Sequence, residues 1–450
     1  MSVREIKSPD EIGQEHSLMS LLRVRNFRLL WIGEAVSLVG DQFYLIALPW
    51  LVLQLTGDGL VVGTVLALVG IPRALFILVG GAFTDRFSPR SVMLASNLLR
   101  MGLVLLLAAL VLGSWVELWM LYLLALAFGL TDAFFYPAQS AIIPRLINKD
   151  QLQTANAIMH GTMQLSLFAG PVLAGYLIAT LGQREDIALG GIGLAFALDA
   201  FTFLASAATL WLIKDDKPLN YEEKMGQAGS LVNSIIVGLR IVWKDTALRA
   251  FFSLIALSNF LINGPIFVGI PVLAASRFSE GAVAFGIIMS AYGGGSLLGT
   301  ILAGVLPRPP SRTMGIILGV VWSGLGLGVV VLGLASNIYI AAATALAMGV
   351  SQGYVVILFI TWLQRRTDEA LLGRMMSLLL LASVGLQPIS FVLTGALVGI
   401  DARALFITAG GLMVVIVFLF MLNPAVRSME TGLVGGQSQN MPPAALKEGV

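Results

Sequence analysis

The chain has 450 residues, of which 57% are hydrophobic and only 12% charged, with a mean hydropathy of +0.90 and a formal net charge of +2. Soluble chains carry about 25% charged residues, so a water-soluble enzyme or binding domain is excluded. No cysteine is present, which removes disulfides, thiolate chemistry and iron–sulfur clusters, and two histidines leave no transition-metal ligand set.

Residues 1–26 are polar and mixed in charge, which predicts a cytoplasmic N-terminal segment without a cleavable signal peptide; the first span then serves as the insertion signal. A crossing needs about 20 apolar residues. Such runs occur at 27–55, 60–82, 91–113, 117–142, 152–181 and 187–213, then at 247–275, 282–306, 313–335, 337–363, 373–399 and 402–423. The interruption at 214–246 opens with Lys214-Asp215-Asp216-Lys217-Pro218 and reads as a cytoplasmic linker, its part 230–240 forming an amphipathic interfacial helix. The tail 424–450, rich in Gly, Gln, Ser and Pro, reads as a disordered cytoplasmic segment. The expected fold class is therefore an all-α polytopic membrane protein of twelve helices, with one six-helix bundle at 27–213 and a second at 247–423.

Basic residues fix the expected orientation. With the N-terminus inside, 22 Lys and Arg fall on the inner side and only Arg184, Arg277 and Arg403 on the outer side. That asymmetry places both termini in the cytoplasm of a multi-pass cell-membrane protein. The positive charge thus sits in loops that flank the bilayer, and it does not mark a nucleic-acid partner. The halves also repeat at an offset of about 220 residues, a parallel duplication. Pro49 matches Pro271, Asp41 matches Asn263, Gly81 matches Gly304, and Gly170-Pro171 matches Gln387-Pro388.

Between the second and third spans lies Gly81-Ala82-Phe83-Thr84-Asp85-Arg86-Phe87-Ser88-Pro89-Arg90. This loop resembles the signature of the major facilitator superfamily: Gly, three residues, Asp, a basic residue, one residue, Gly, then two basic residues. Gly81, Asp85, Arg86 and Arg90 fit it, while Ser88 stands for the second glycine and Pro89 for the first of the final basic pair. Asn26-Phe27-Arg28-Leu29-Leu30-Trp31, Gly40-Asp41-Gln42 and Phe134-Phe135-Tyr136-Pro137-Ala138-Gln139 are similar to a bacterial branch that contains macrolide and siderophore exporters. The resemblance implies two six-helix bundles that alternate access, usually as a monomer. It also implies that Asp85 sits beside the start of the eleventh helix, near Gly373-Arg374. A carboxylate at a helix N-terminus is favoured, so Gly81, Asp85, Arg86 and Arg90 are expected to form a conformational latch that closes the cytoplasmic side.

Ionisable side chains within spans are the other pointers, because a charge in hydrocarbon is costly unless paired or wet. They are Glu34, Asp41, Arg73, Arg100, Asp132 and Asp199, all in the first half. Similar depths pair Arg100 with Asp132, read as a structural bolt, and Arg73 with Glu34 or Asp41. Four acids against two arginines leave at least one carboxylate without a basic partner, and desolvation favours its protonated form. Asp41, helped by Glu34 and Arg73, is the expected proton-coupling site; Asp199 is the reserve, its plainer reading a solvated cavity residue.

Gln42, Phe43, Phe135, Gln139, Gln164, Asn259, Asn263 and Gln387 are candidate substrate-cavity residues, although for any one of them taken singly helix–helix packing is the leading role. Few charges and many apolar and aromatic groups suit a small lipophilic or amphipathic substrate. Gly349-Val350-Ser351-Gln352-Gly353 spells a hydrolase elbow but lies in an apolar span, where G-x-x-x-G packs helices. No Walker A sequence is present, so the chain is not its own ATPase. The expectation is a non-enzymatic secondary exporter of drug, macrolide or siderophore type, driven by a proton gradient with no cofactor and no metal. An importer or lysolipid flippase is the alternative, and a non-transporting receptor on the same fold the weaker one.

Overall fold

Hydrocarbon offers no hydrogen bonds, so backbone N–H and C=O groups that cross a bilayer must be bonded within their own helix. The computed structural model of the chain meets that demand with long helices along its length. It describes residues 18–182, 189–214, 239–307, 309–367 and 369–423. Residues 230–238 of the expected interfacial helix and the tail 424–450 lie outside these.

In the first half, α1 (Arg25–Thr56), α2 (Gly59–Arg86), α3 (Pro89–Leu112), α4 (Leu118–Leu146), α5 (Leu152–Gly182) and α6 (Gly190–Leu212) follow one another with short connections. The second half holds α7 (Thr246–Arg277), α8 (Ala282–Val305), α9 (Ser311–Leu334), α10 (Ile338–Arg366), α11 (Glu369–Val384) and α12 (Gln387–Met421). Short polar residues set the ends. Asp245 accepts from the backbone N–H groups of Ala247 and Leu248 and caps α7, and Asn337 accepts from Ile340 N–H and caps α10. Gly57, at φ 62°, makes the left-handed turn that sends α1 back into α2.

Two irregularities shape the second half. α7 widens into a π-turn at Pro265–Gly269, just before Pro271. The stretch Leu371–Met421 has 51 residues; at about 1.5 Å per residue it is more than twice as long as the hydrocarbon core is thick. It divides at Asp401, whose backbone is extended (φ −156°, ψ 102°) and whose carboxylate accepts from Ala404 N–H at 3.1 Å, capping the next helix. Residues 387–400 therefore complete the eleventh crossing after α11, and 402–421 make the twelfth.

The halves meet along two seams, α2 against the first part of α12, and α5 against α8. Helices in lipid associate through small residues that let backbones approach. A Cβ on Gly63 would lie 2.2 Å from Phe391 O, and one on Gly286 only 2.4 Å from Pro171 O. Pro388 lies against Gly70 of α2, so the duplicated pair Gly170-Pro171 and Gln387-Pro388 puts its prolines on equivalent seams. These contacts gather away from the face that carries the α2–α3 connection. Among the described glycines, the close approaches between the halves run from Gly59 and Gly175 to Gly70, Gly293 and Gly294 at mid-span, and none lies beyond that toward the face of the α2–α3 connection, called here the basic face. The seams are thus closed on one face and parted on the basic face.

Large side chains that point outward form the lipid belt. Trp115, Trp119 and Tyr339 are exposed near the closed face, and Trp211 and Trp243 near the basic face, where amphipathic rings suit the interfaces.

The seam geometry makes a direct prediction. Gly286→Val adds a branched side chain whose Cβ alone would lie 2.4 Å from Pro171 O, so the closed face should be held apart. Spin labels on Thr180→Cys and Ser279→Cys, placed in this cysteine-free chain, should report a longer distance in the variant; an unchanged distribution would show that the seam is not what closes this face.

Candidate functional site

Glycine on α1 lets α6 come close. A Cβ at Gly40 would lie 1.9 Å from Thr202 Oγ1 and 2.6 Å from Asp199 Oδ1. Asp199 is consequently 0% exposed, with Thr202 Oγ1 3.4 Å from Oδ1 and no partner for Oδ2. Asp41, one residue on, turns away from α6 toward the space between the halves and lines it.

Arg100 on α3 is the centre of this cluster. It is 2% exposed and forms an ion pair with Asp132 of α4. Its guanidinium lies 3.9 Å from the Phe135 ring centre, with the rings of Phe203, Phe128 and Tyr136 at 5.6, 5.7 and 5.9 Å. A desolvated cation over several aromatic faces gains from each quadrupole. Its charge also acts on Glu34, Asp41 and Asp199. One arginine therefore serves four acids, and it bonds one of them.

The other expected pairing takes a different form. Arg73 makes no ion pair with Glu34 or Asp41 among the described residues; it stacks on Tyr136, its guanidinium 4.4 Å from the ring centre. Glu34 instead accepts a hydrogen bond from Gln139 Nε2 and leaves Oε1 unpartnered. The reason is register: Glu34 lies two turns nearer the basic face than Asp41, level with Gln139 of α4.

Two chambers meet at Asp41. The central one, about 340 Å³, is walled by both halves and includes Gln42, Tyr44, Arg73, Phe128, Phe267 and Gln387. The second, about 470 Å³ and nearer the basic face, is walled by α1, α4 and α5 and includes Glu34, Phe135, Gln139, Asn156 and His160. Leu38, Asp41, Tyr136 and Met163 line both. Asp41 is the one acid common to the two.

The remaining candidates fall elsewhere. Phe43 lines neither chamber and packs against the apolar core. Gln164 donates to Ser296 Oγ at 3.0 Å, a bond from α5 to α8 across a seam. Gly170 leaves room for Gln42, whose Cγ would lie 2.4 Å from an added Cβ, so it packs α5 on α1. Asn259 and Asn263 line a separate pocket within the second half. Arg90 bonds the carbonyls of Leu210 and Trp211 at the end of α6, within its own half. The side chains of Asp85 and Arg86, and Gly81, lie outside the residues whose side chains are described. Tyr136 was missed by sequence reasoning, although its place one turn from Asp132 could have marked it.

The profile of the Major Facilitator Superfamily matches residues 30–386. The chain is similar to Macrolide efflux protein A of Streptococcus pyogenes, 21% identical over 90% of this chain and 97% of that one. It is also similar to the multidrug efflux pump Tap of Mycolicibacterium fortuitum, 24% identical over 89% and 96%. The crystal structure of the nucleoside transporter NupG superposes with a TM-score of 0.69 at 14% identity, covering 88% of this chain and 98% of that one.

The Arg100 cluster can be tested by unfolding in mixed micelles. Asp132→Leu leaves a buried cation unpaired and should cost about 3–5 kcal/mol. Arg100→Met with Asp132→Leu should recover most of that loss, and more completely at low pH, where protonated Glu34, Asp41 and Asp199 no longer need the cation. A double variant no better than the single one, at any pH, would remove Arg100 from the centre of the cluster.

Proposed function

The chain belongs to the Major Facilitator Superfamily, and from that premise we propose that it exports hydrophobic and amphipathic small molecules by alternating access, in exchange for protons. The observation that carries this reading is Asp41 at the junction of the two chambers, without a bonded cation, on the path any solute between the halves must take. Chamber volumes of about 340 and 470 Å³ fall in the range of about 300–1,000 Å³ that suits drug-sized ligands. The central walls are mainly aliphatic and aromatic, which favours lipophilic cargo over a sugar or a phosphate ester. Similarity to a macrolide efflux protein and to a multidrug efflux pump supports the direction and the cargo class.

The mechanism follows from charge balance. Glu34, Asp41, Asp132 and Asp199 outnumber Arg73 and Arg100 by two, so full ionisation leaves the interior of the first half at −2. Asp132 has Arg100, and Glu34 has the neutral donor Gln139. A proton on Asp41 removes one uncompensated charge from the wall of the cavity. Cargo entering from the basic face displaces it or follows its loss, and Asp199, packed directly against Gly40, is the second acceptor. Two seams that close on one face and part on the other are the geometry alternating access requires.

The basic face is the cytoplasmic one by the positive-inside rule, which makes the state described here open to the cytoplasm. Asp85, with Gly81, Arg86 and Arg90, would engage the start of α11 when that face closes, and so favour the outward-open state. The bilayer and a proton gradient are the only other requirements, and a single copy of the chain suffices.

Proteoliposomes with an imposed pH gradient test this, using ethidium and a neutral macrolide as cargo. Uptake should follow the gradient, and Asp41→Asn should transport without following it; full gradient dependence in that variant would rule Asp41 out. Asp85→Asn should shift the population toward the cytoplasm-open state by about two- to five-fold, the size of a helix-terminus interaction, read from spin-label distances across the basic face. An unchanged population would end the latch proposal.

A further inference from the structure

Within the second half, α7, α8, α9, α10 and α11 enclose a pocket of about 200 Å³ whose walls are part aliphatic, with Ile255, Ile262 and Leu379 among them, and part polar. Ser258, Asn259, Asn263, Tyr292, Trp322 and Gln352 face it, and no Asp, Glu, Lys, Arg or His does. Buried polar groups are normally bonded, and here several of them are not bonded fully. Ser258 is 2% exposed and its hydroxyl has no partner. Asn259 spends Nδ2 on Ile255 O, and Asn263 Nδ2 reaches Asn259 Oδ1 only at 3.4 Å. Gln352 and the Tyr292 hydroxyl face the same space with no protein hydrogen bond described.

Packing keeps the pocket from collapsing. α8 and α10 already touch backbone to backbone, since a Cβ on Gly349 would lie 2.1 Å from Tyr292 O and one on Gly299 2.1 Å from Val350 O. That contact fixes the stretch from which Tyr292 and Gln352 project, so neither helix can slide in to fill the void. No residue lines both this pocket and the central chamber, but their walls are neighbours along two helices. Asn263 stands one turn before Phe267, and Ser383 stands next to Val384; Phe267 and Val384 line the central chamber.

We propose that this pocket is a second compartment of the substrate site, which takes a neutral, hydroxyl-rich group such as a sugar ring, while the apolar body of the same molecule lies in the central chamber. The inference rests on the central chamber being the cargo path and adds a substrate class to it. Three features select the group. The absence of ionised residues gives no gain to a charged head, which would lose its hydration without a counter-charge. The amides and hydroxyls supply donors and acceptors in mixed directions, the pattern that suits a polyol. Trp322, 4% exposed, offers a ring face and one N–H donor, which suits a group apolar on one side and polar at its edge. The volume lies below the about 300 Å³ at which whole drug-sized ligands begin, so the pocket takes part of a molecule.

Equilibrium binding to the full chain in nanodiscs, with no gradient, provides the test. The probes are 4-methylumbelliferyl β-glucoside, free 4-methylumbelliferone and 4-methylumbelliferyl sulfate, titrated calorimetrically. The glucoside should bind more tightly than either of the others. Ser258→Ala and Gln352→Leu should each weaken it about five- to tenfold, the loss of one net hydrogen bond, and leave the umbelliferone affinity in place. Equal affinity for the three probes, a glucoside preference that survives both substitutions, or no glucoside binding at all would overturn the proposal and leave a pocket that holds only water. Because binding is read without a gradient, loss of proton-driven transport with the glucoside preference intact would refute the export reading alone.

Discussion

A single buried guanidinium organises the first half. Arg100 must be paired, because an uncompensated ion in this setting costs several kcal/mol, and the chain satisfies it from three directions. Asp132 supplies the counter-charge, Phe135 and its neighbours supply aromatic faces, and the remaining acids supply a longer-range negative field. The aromatic faces cannot be traded for water without opening the bundle. The acids gain from the same cation that they cannot all reach. Asp41 and Asp199 are left as carboxylates held near, but not bonded to, a positive charge, which is the condition under which a proton can come and go.

The two halves divide the chemistry. The buried cluster of ions lies in the first, with Arg100 and the acids set among α1, α3, α4 and α6. The second has an ion pair at the basic-face ends of α7 and α10, Arg366 with Asp245 at 2.8 Å, and neutral polar groups around its own pocket, among them Ser258 and Gln352. Between them the seams depend on small residues such as Gly63 and Gly286, whose contacts are backbone to backbone. Such seams have little side-chain interlock to break, and the few hydrogen bonds across α5 and α8, from Gln164 to Ser296 and from Val172 N–H to Ser290 Oγ, are neutral. A rocking motion then separates surfaces without exposing ions to lipid.

Much of this was legible in the residues alone. Span lengths, basic loops and the repeat pointed to twelve crossings in two halves, and depth counting brought Arg100 level with Asp132. What was not legible depended on which neighbour a helix face meets. Phe43 follows Gln42 by one residue, about 100° around the helix, and that rotation takes it from the cavity into the core. Gln164 is polar at mid-span like Gln42, but its face lies on a seam. Arg73 found Tyr136 because α2 presents it to α4 above the level of Glu34. The polar pocket of the second half combines residues from five helices, and no spacing along one of them could reveal it.

The central claim is that cargo and protons move in opposite directions through one site at Asp41. The most direct measurement loads proteoliposomes with a pH-sensitive dye, imposes no gradient, and adds cargo outside. Cargo entry should alkalinise the lumen as protons leave, and the change should vanish in Asp41→Asn while cargo still binds. Cargo entry with an unchanged luminal pH in the native chain would contradict the account.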